Sequence, residues 1–440
     1  MARVLLAATL LMLLGLAWGE PFKSEDELVK YLHTDSDYNK KLMPPGTKSP
    51  NVTINGQRLN VTDEPVIVDV NLFVRYIGEI NDENKDYQLS LTLRQSWVDE
   101  RLSYTKTVEE QDYVLLTDPS KIWVPDLFFS NEKEGHDHQL MTANNLIRIE
   151  PSGKVLYSTR VSLKLSCPMD FVTYPMDKQI CSIRMASYAH TTKNLIFKWK
   201  DEKAVEVANS LDPSPYHLQG IGTDYCFSKT NTGEYSCVKA AFLLKRVINN
   251  YLMHAYLPLS LLVLVSWIIF WLDERSTGVR VIVAVITFIA TVFEGSRVTG
   301  EAPHASYTKA IDVWVNWSIF FVFFAIVEQV VVILISDKRP SSVKEPPAAG
   351  DEEGGVALPL MENGDKAGEL SEVPAASSPA QQNLVSKWLS RYKTTARRID
   401  VVARILFPVV YVLFNLTYWS SYADYEGINT LSTYTKISYN

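Results

Sequence analysis

Four long apolar runs, residues 251–272, 279–292, 311–335 and 401–419, constrain this chain of 440 residues more than any other feature. The second run continues in helical character to about Thr299. At 1.5 Å per residue each is about long enough to cross the ~30 Å hydrocarbon layer of a bilayer. A helix of a soluble core keeps a polar face, and these runs keep none over most of their length. The reading is four membrane spans, three within residues 251–335 and the fourth at 401–420. The mean hydropathy of −0.03 conceals this, because polar segments cancel the apolar ones.

What lies between and before the spans follows from the same patterning. Arg3, the apolar stretch 4–14 and the small residues Ala17 and Gly19 read as a secretory signal peptide, residues 1–19. Residues 20–250 are polar with short alternating stretches, such as Gln88-Leu89-Ser90-Leu91-Thr92-Leu93-Arg94, separated by turns such as Pro151-Ser152-Gly153. Many short strands without helical periods imply an all-β, immunoglobulin-like sandwich outside the cell. Asn51 and Asn60 head Asn-X-Thr sequons and are candidate glycosylation sites.

Residues 336–384 hold no aromatic side chain and nine acids against four bases, a composition that cannot bury enough apolar surface to order itself. A basic helix follows over 384–400, with Lys387, Arg391, Lys393, Arg397 and Arg398. Placing the loop 336–400 in the cytoplasm satisfies the positive-inside rule and leaves residues 421–440 outside. The expected location is therefore a cell membrane crossed four times, with both ends extracellular.

All four cysteines, Cys167, Cys181, Cys226 and Cys237, fall before the first span. An even number confined to an oxidising compartment argues for two disulfides, and the spacing suggests the local pairs Cys167–Cys181 and Cys226–Cys237. Zinc is the weaker alternative, since no C-x-x-C pair exists. No nucleophile–base constellation, metalloprotease motif or phosphate loop appears, so an enzyme is not expected, nor any cofactor. The net charge of −7 gives no reason to expect nucleic acid as a partner.

The stretch from Cys167 to Cys181 encloses thirteen residues and carries Phe171, Pro175 and Asp177 where Cys-loop receptors carry them. Trp123-Val-Pro-Asp126, Ser266-Trp267 and Ser306-Tyr-Thr-Lys-Ala-Ile-Asp-Val-Trp314 also resemble this family of pentameric ligand-gated ion channels. The second cysteine pair resembles the glycine- and glutamate-gated chloride branch. The resemblance implies a pentamer of identical or homologous subunits, with a small transmitter bound between neighbouring extracellular domains. Closure of the Cys226–Cys237 loop over the ligand would then reach the spans through the Cys167–Cys181 loop and residues 306–312.

By resemblance, the principal face of the binding site comprises Phe128, Ser187, Tyr188, Thr232 and Tyr235. Aromatic rings of this kind suit an ammonium group, because their faces are electronegative. The complementary face comprises Arg75, Arg94 and Ser158, two guanidinium forks and a hydroxyl that suit a carboxylate-bearing ligand. Glutamate or a similar acidic amino acid is the expected agonist. His190 stands where relatives usually carry tyrosine. His136 and His138 lie two apart, on one side of any strand, and a related pair in glycine receptors binds zinc; the other reading, which the residues favour, is two surface histidines without a metal.

The pore segment departs from the family. Chloride-selective relatives carry Pro-Ala-Arg where this chain has Gly278-Val279-Arg280. A ring of Arg280 at the inner mouth is expected to favour anions such as chloride; the alternative is an arginine that reaches out to lipid headgroups. Ile282, Ile286, Ile289 and Phe293 occupy the pore-lining positions, at helical steps of four, three and four. Stacked bulky apolar rings expel water, so a tightly closed pore is expected. Glu294 is expected to pair with Arg297, and Glu328 to be structural. Two other readings stay open: a chemosensory channel for protons, zinc or an amphiphile, and a non-conducting assembly or modulatory subunit.

Overall fold

The computed structural model describes residues 28–30, 38–46, 53–54, 57–58, 64–105, 112–208, 211, 213–273, 276–337, 394–422 and 434–437. The signal peptide, the sequons at Asn51 and Asn60, nearly all of the expected cytoplasmic loop and most of the C-terminal tail lie outside these residues. The chain divides into two compact units. One holds residues 1–252, 302–312 and 420–440, the other 253–301 and 313–419.

The first unit is built from strands. A short ladder pairs β1 (Thr53–Ile54) with β2 (Gln57–Arg58). An eight-stranded sheet comprises β3 (Val66–Asn81), β4 (Asp86–Val98), β5 (Val114–Leu116), β7 (Glu132–Asp137), β8 (Asn145–Ile149), β9 (Lys154–Ser166), β11 (Leu195–Trp199) and β12 (Val205–Val207), with β11-β3-β4-β9-β8-β5 as its main order. A second sheet runs β16-β13-β15-β10-β6, with β14 beside β15; these are β6 (Leu127–Phe129), β10 (Lys178–Thr191), β13 (Tyr216–Tyr225), β14 (Ser228–Thr230), β15 (Gly233–Arg246) and β16 (Thr435–Ile437).

Strand β4 shows why this sequence makes a sheet. Tyr87, Leu89, Leu91, Leu93 and Trp97 alternate along it and are buried, while Gln88, Ser90, Arg94 and Ser96 point to the other side. That period of two is the signature of a strand with one face in a core. The β8–β9 turn falls at Pro151-Ser152-Gly153, where Gly153 takes φ +79° and a Cβ would sit 2.5 Å from the Asp99 carbonyl oxygen, so only glycine fits. The edge of β13 is covered by β16, from the tail beyond the fourth apolar run, with Ile221 opposite Ile437 and Thr223 opposite Thr435.

Near its last strand this unit gathers a buried charged cluster. Arg246 Nε donates to Asp177 Oδ1 at 2.7 Å and Nη1 to Asp82 Oδ2 at 2.6 Å, while Tyr216 also reaches Asp82. The Tyr216 phenol is pushed well above its ordinary value, by burial first and then by the Asp177 and Asp82 carboxylates. The Cys167–Cys181 disulfide closes the adjoining loop. That loop meets residues 302–312: Phe171 N donates to Tyr307 Oη at 2.8 Å, and Ala310 N to the Val172 carbonyl at 2.9 Å.

The second unit is helical. Among the described residues four helices are long and apolar enough to cross a membrane: α1 (Asn249–Trp271), α2 (Thr277–Glu301), α3 (Ala310–Ser336) and α4 (Thr395–Tyr422). Arg397 and Arg398, expected in a basic helix that leads into the fourth span, lie in the first turns of α4. The packing is dominated by aromatic side chains. Phe321, Val322 and Val263 form a core to which Trp267, Phe288, Phe407, Tyr411 and Phe414 add their rings. The Tyr256 and Tyr418 hydroxyls lie 2.8 Å apart, and the Trp314 ring meets both rings edge-on. Helices α2 and α3 approach closely at Gly295, where a Cβ would meet Val315 at 2.8 Å.

Candidate functional site

Strand register assembles one half of the site. In the eight-stranded sheet Asn71 pairs with Arg94, and Arg94 with Ser158, so the three form a row across β3, β4 and β9. Side chains directly opposite in adjacent strands share a face. Arg75 joins the row because its Nε donates to Thr92 Oγ1 at 2.8 Å, two residues before Arg94 on the same face. The result is a depression of about 500 Å³ lined by Arg75, Arg94 and Ser158 together with Asn71, Thr92 and Arg148. All three residues expected on the complementary face line it.

Phe73, which no sequence motif marks, lies beside both arginines. The Arg75 and Arg94 guanidinium carbons stand 5.3 and 5.7 Å from its ring centroid. An electronegative ring face partly offsets the repulsion of two like charges held so near. Arg94 Nη1 also donates to Asn71 Oδ1 at 3.0 Å and to Glu206 Oε1 at 3.1 Å. Glu206 comes from β12, which runs parallel to β3; nothing in its sequence surroundings marks it, and only the pairing of these strands brings it to Arg94.

The second half forms on the other sheet. A separate depression of about 460 Å³ is lined by Phe128, Ser187, Tyr188, Phe227, Thr232 and Tyr235, with the Cys226–Cys237 disulfide at its edge. β6 and β10 pair through Ala186 and Phe128, and the Phe128 and Tyr188 rings meet edge to face at 5.6 Å. Tyr188 is 77% exposed, so its ring face is open. Thr232 Oγ1 lies 2.8 Å from Tyr235 Oη across the hairpin tip. Phe227, beside Cys226, adds an aromatic wall that no motif flagged.

The Ser187 hydroxyl is turned inward. The residue is buried, and its Oγ donates to Asp126 Oδ1 at 2.8 Å while Ala189 N donates to Asp126 Oδ2. This is the aspartate of the Trp123-Val-Pro-Asp126 motif, so motif and serine together shape the loop. His190 donates its backbone N–H to the same hydroxyl and does not line the depression. The two depressions share no residue, as expected if each supplies half of a site.

His136 and His138 do lie side by side on the end of β7 and just beyond it, ring centroids 5.3 Å apart. His138 Nε2 sits 2.8 Å from Ser162 Oγ. Partial loss of water, then the neighbouring Arg160 and His136, hold the His138 imidazole below its ordinary value. Two imidazoles make an incomplete set for zinc. Among the described residues no group of three or more His, Cys, Asp or Glu side chains could hold a metal.

In α2 the structure corrects the expectation for Arg280. Ile282, Ile286, Ile289 and Phe293 form one outward stripe, each 59–74% exposed in the single chain. Arg280 is fully buried on the stripe of Ala284, Thr287, Thr291 and Gly295. Two helical residues turn the chain about 200°, so Arg280 and Ile282 face opposite ways. Arg280 Nη2 donates to Asp400 Oδ2 at 2.7 Å and Nη1 to Gln329 Oε1 at 3.2 Å. It neither lines the stripe nor reaches for headgroups. Val279, 54% exposed and three residues before Ile282, continues the stripe in its place. Glu294 pairs with Arg297, which also holds Glu301 at 2.8 Å. Both carboxylate oxygens of Glu328 are buried, with the Asp400 carboxylate as a neighbour.

Comparison with known proteins agrees with this architecture. Residues 25–248 match the neurotransmitter-gated ion-channel ligand binding domain, and residues 255–355 the neurotransmitter-gated ion-channel transmembrane region. A Drosophila melanogaster protein described as a glutamate-gated chloride channel is 41% identical over 394 residues, covering 83% of this chain and 86% of that one. With a two-sheet domain closed by the Cys167–Cys181 disulfide and four membrane-length helices, the chain belongs to the Cys-loop pentameric ligand-gated ion channels, a family of channels and not of enzymes.

Proposed function

We propose that this chain is a subunit of an anion channel opened by glutamate or a closely similar acidic amino acid bound between neighbouring subunits. The observation that carries the reading is the row Asn71–Arg94–Ser158 with Arg75 beside it, which gathers two guanidinium groups and a hydroxyl in one open depression. Carboxylates favour such paired forks. The aromatic depression of Phe128, Tyr188 and Tyr235 supplies ring faces for the ligand's ammonium group. In a pentamer the two depressions of adjacent subunits close on one ligand.

Anion selectivity rests on the relationship to a glutamate-gated chloride channel, since Arg280 lies within a neutralising pair and not on the outward stripe. The stripe from Val279 to Phe293 forms the gate, and its bulky apolar rings keep the resting pore dry. The ligand-binding domain and the C-terminal tail are extracellular, at the plasma membrane. The pairing of β16 with β13 supports this, because it joins a strand before the first span to one after the fourth, and an even number of crossings is then required.

The test is expression of this chain alone, with currents recorded over a glutamate series. Responses that reverse near the chloride potential and vanish in Arg94→Ala are expected. An unchanged dose response in Arg94→Ala defeats the binding assignment. The same apolar stripe favours a second reading, a subunit that assembles with related chains without conducting alone. Silence when expressed alone, with altered currents when a related subunit is co-expressed, would select it.

A further inference from the structure

We infer that Glu206 is an internal carboxylate that occupies one edge of Arg94 in the empty site, and that an incoming ligand carboxylate must share or displace it. The inference rests on the ligand reading above and concerns the regulation of that same site. Three observations carry it. Glu206 Oε1 lies 3.1 Å from Arg94 Nη1, within ion-pair distance. The carboxylate is held there independently, since Asn71 Nδ2 donates to the same oxygen at 3.2 Å. Asn71 is itself fixed, being buried and donating its other Nδ2 hydrogen to the Lys203 carbonyl, so the arrangement belongs to the sheet and not to a loose surface contact.

The chemistry follows from the geometry. A guanidinium presents two edges to carboxylates. Here Nη1 is engaged by Asn71 and Glu206, which leaves the opposite edge to the depression that Ser158 also lines. A ligand carboxylate approaching that edge meets an arginine whose charge is already partly neutralised, and it stands close to a second carboxylate. Both effects weaken binding of an acidic ligand. The pair is about one third exposed on each side, so water screens the effect to a few-fold and does not abolish it. Glutamine at this position keeps the shape and the Asn71 contact and removes the charge. Glu206 thereby sets how much acidic ligand the channel requires.

The test uses the full channel in membranes, comparing wild type with Glu206→Gln. The glutamate concentration for half-maximal response should fall about three- to fivefold in Glu206→Gln, a gain that a merely structural glutamate would not produce on removal. In parallel, Arg94 is labelled without ligand by phenylglyoxal, which attacks guanidines not held in ion pairs, and the modified peptide is followed by mass spectrometry. Faster labelling of Arg94 in Glu206→Gln is expected. Equal labelling rates, or a dose response that is unmoved or shifted to higher concentration, overturn the inference. If glutamate acts on neither protein, the ligand reading fails, and the labelling rate still decides whether Glu206 occupies Arg94.

Discussion

Arg280 Nη2 stands 2.7 Å from Asp400 Oδ2, and neither side chain is more than 2% exposed. The pair ties α2 to α4 and holds the Arg280 charge away from the outward stripe. Breaking a buried pair by truncating one partner costs about 3–5 kcal/mol, because the other charge is left buried alone.

Arg280→Ala and Asp400→Ala should therefore each sharply reduce the amount of folded channel at the cell surface, measured by surface biotinylation. Exchanging the two residues, Arg280→Asp with Asp400→Arg, should recover part of it. Where Arg280→Gln assembles, its anion-to-cation permeability ratio, read from reversal potentials, should equal that of the wild type.

The stripe in α2 gives an opposite kind of outcome. Ile289 is 61% exposed in the single chain and lies midway along the apolar row. Ile289→Ser should wet the constriction and produce current without agonist, while Thr287→Ser, on the buried side, should not. Holding current in agonist-free solution reads both.

The cluster at Arg246 concerns coupling. Arg246 and Asp177 are each 1% exposed in their side chains and lie in the part of the first unit that contacts Tyr307 and Ala310. Asp177→Asn keeps the shape but weakens the pair. Maximal agonist current should fall severalfold more than agonist binding does, measured on the same membranes by current and by radioligand saturation. Arg246→Ala should lose surface expression outright, for the reason given for Arg280.

The tail strand is testable by chemistry alone. Ile221 and Ile437 are directly opposite in an antiparallel pair, where Cα atoms lie about 4.5–5.5 Å apart, within the range a disulfide needs. Ile221→Cys with Ile437→Cys should form a cross-link, detected as a linked peptide under non-reducing conditions. No cross-link in oxidised, surface-labelled channel would place the tail elsewhere.

Much of this molecule could be read from patterning. The four spans are visible because a membrane helix satisfies its own backbone and needs only length and apolarity, both local properties. The alternation in β4 is local too, and so are the two cysteine pairs. Arg75, Arg94 and Ser158 could be named because they sit in recognisable motifs. Phe73 and Glu206 could not, since each acts through a neighbour on another strand. Ser187 was recognised by position, but not the inward turn of its hydroxyl toward Asp126.

Arg280 marks the limit most clearly. The sequence by itself determined that an arginine opens the second span and that Ile282, Ile286, Ile289 and Phe293 share a stripe, because helical spacing fixes relative angle along one helix. It could not say which way that helix turns its faces. That was decided by Asp400, 120 residues further on, and by Gln329 on α3, which give the guanidinium partners on the packed side. A charge in a low-dielectric interior goes where its counter-charge is, and only the tertiary structure brings α4 to that place.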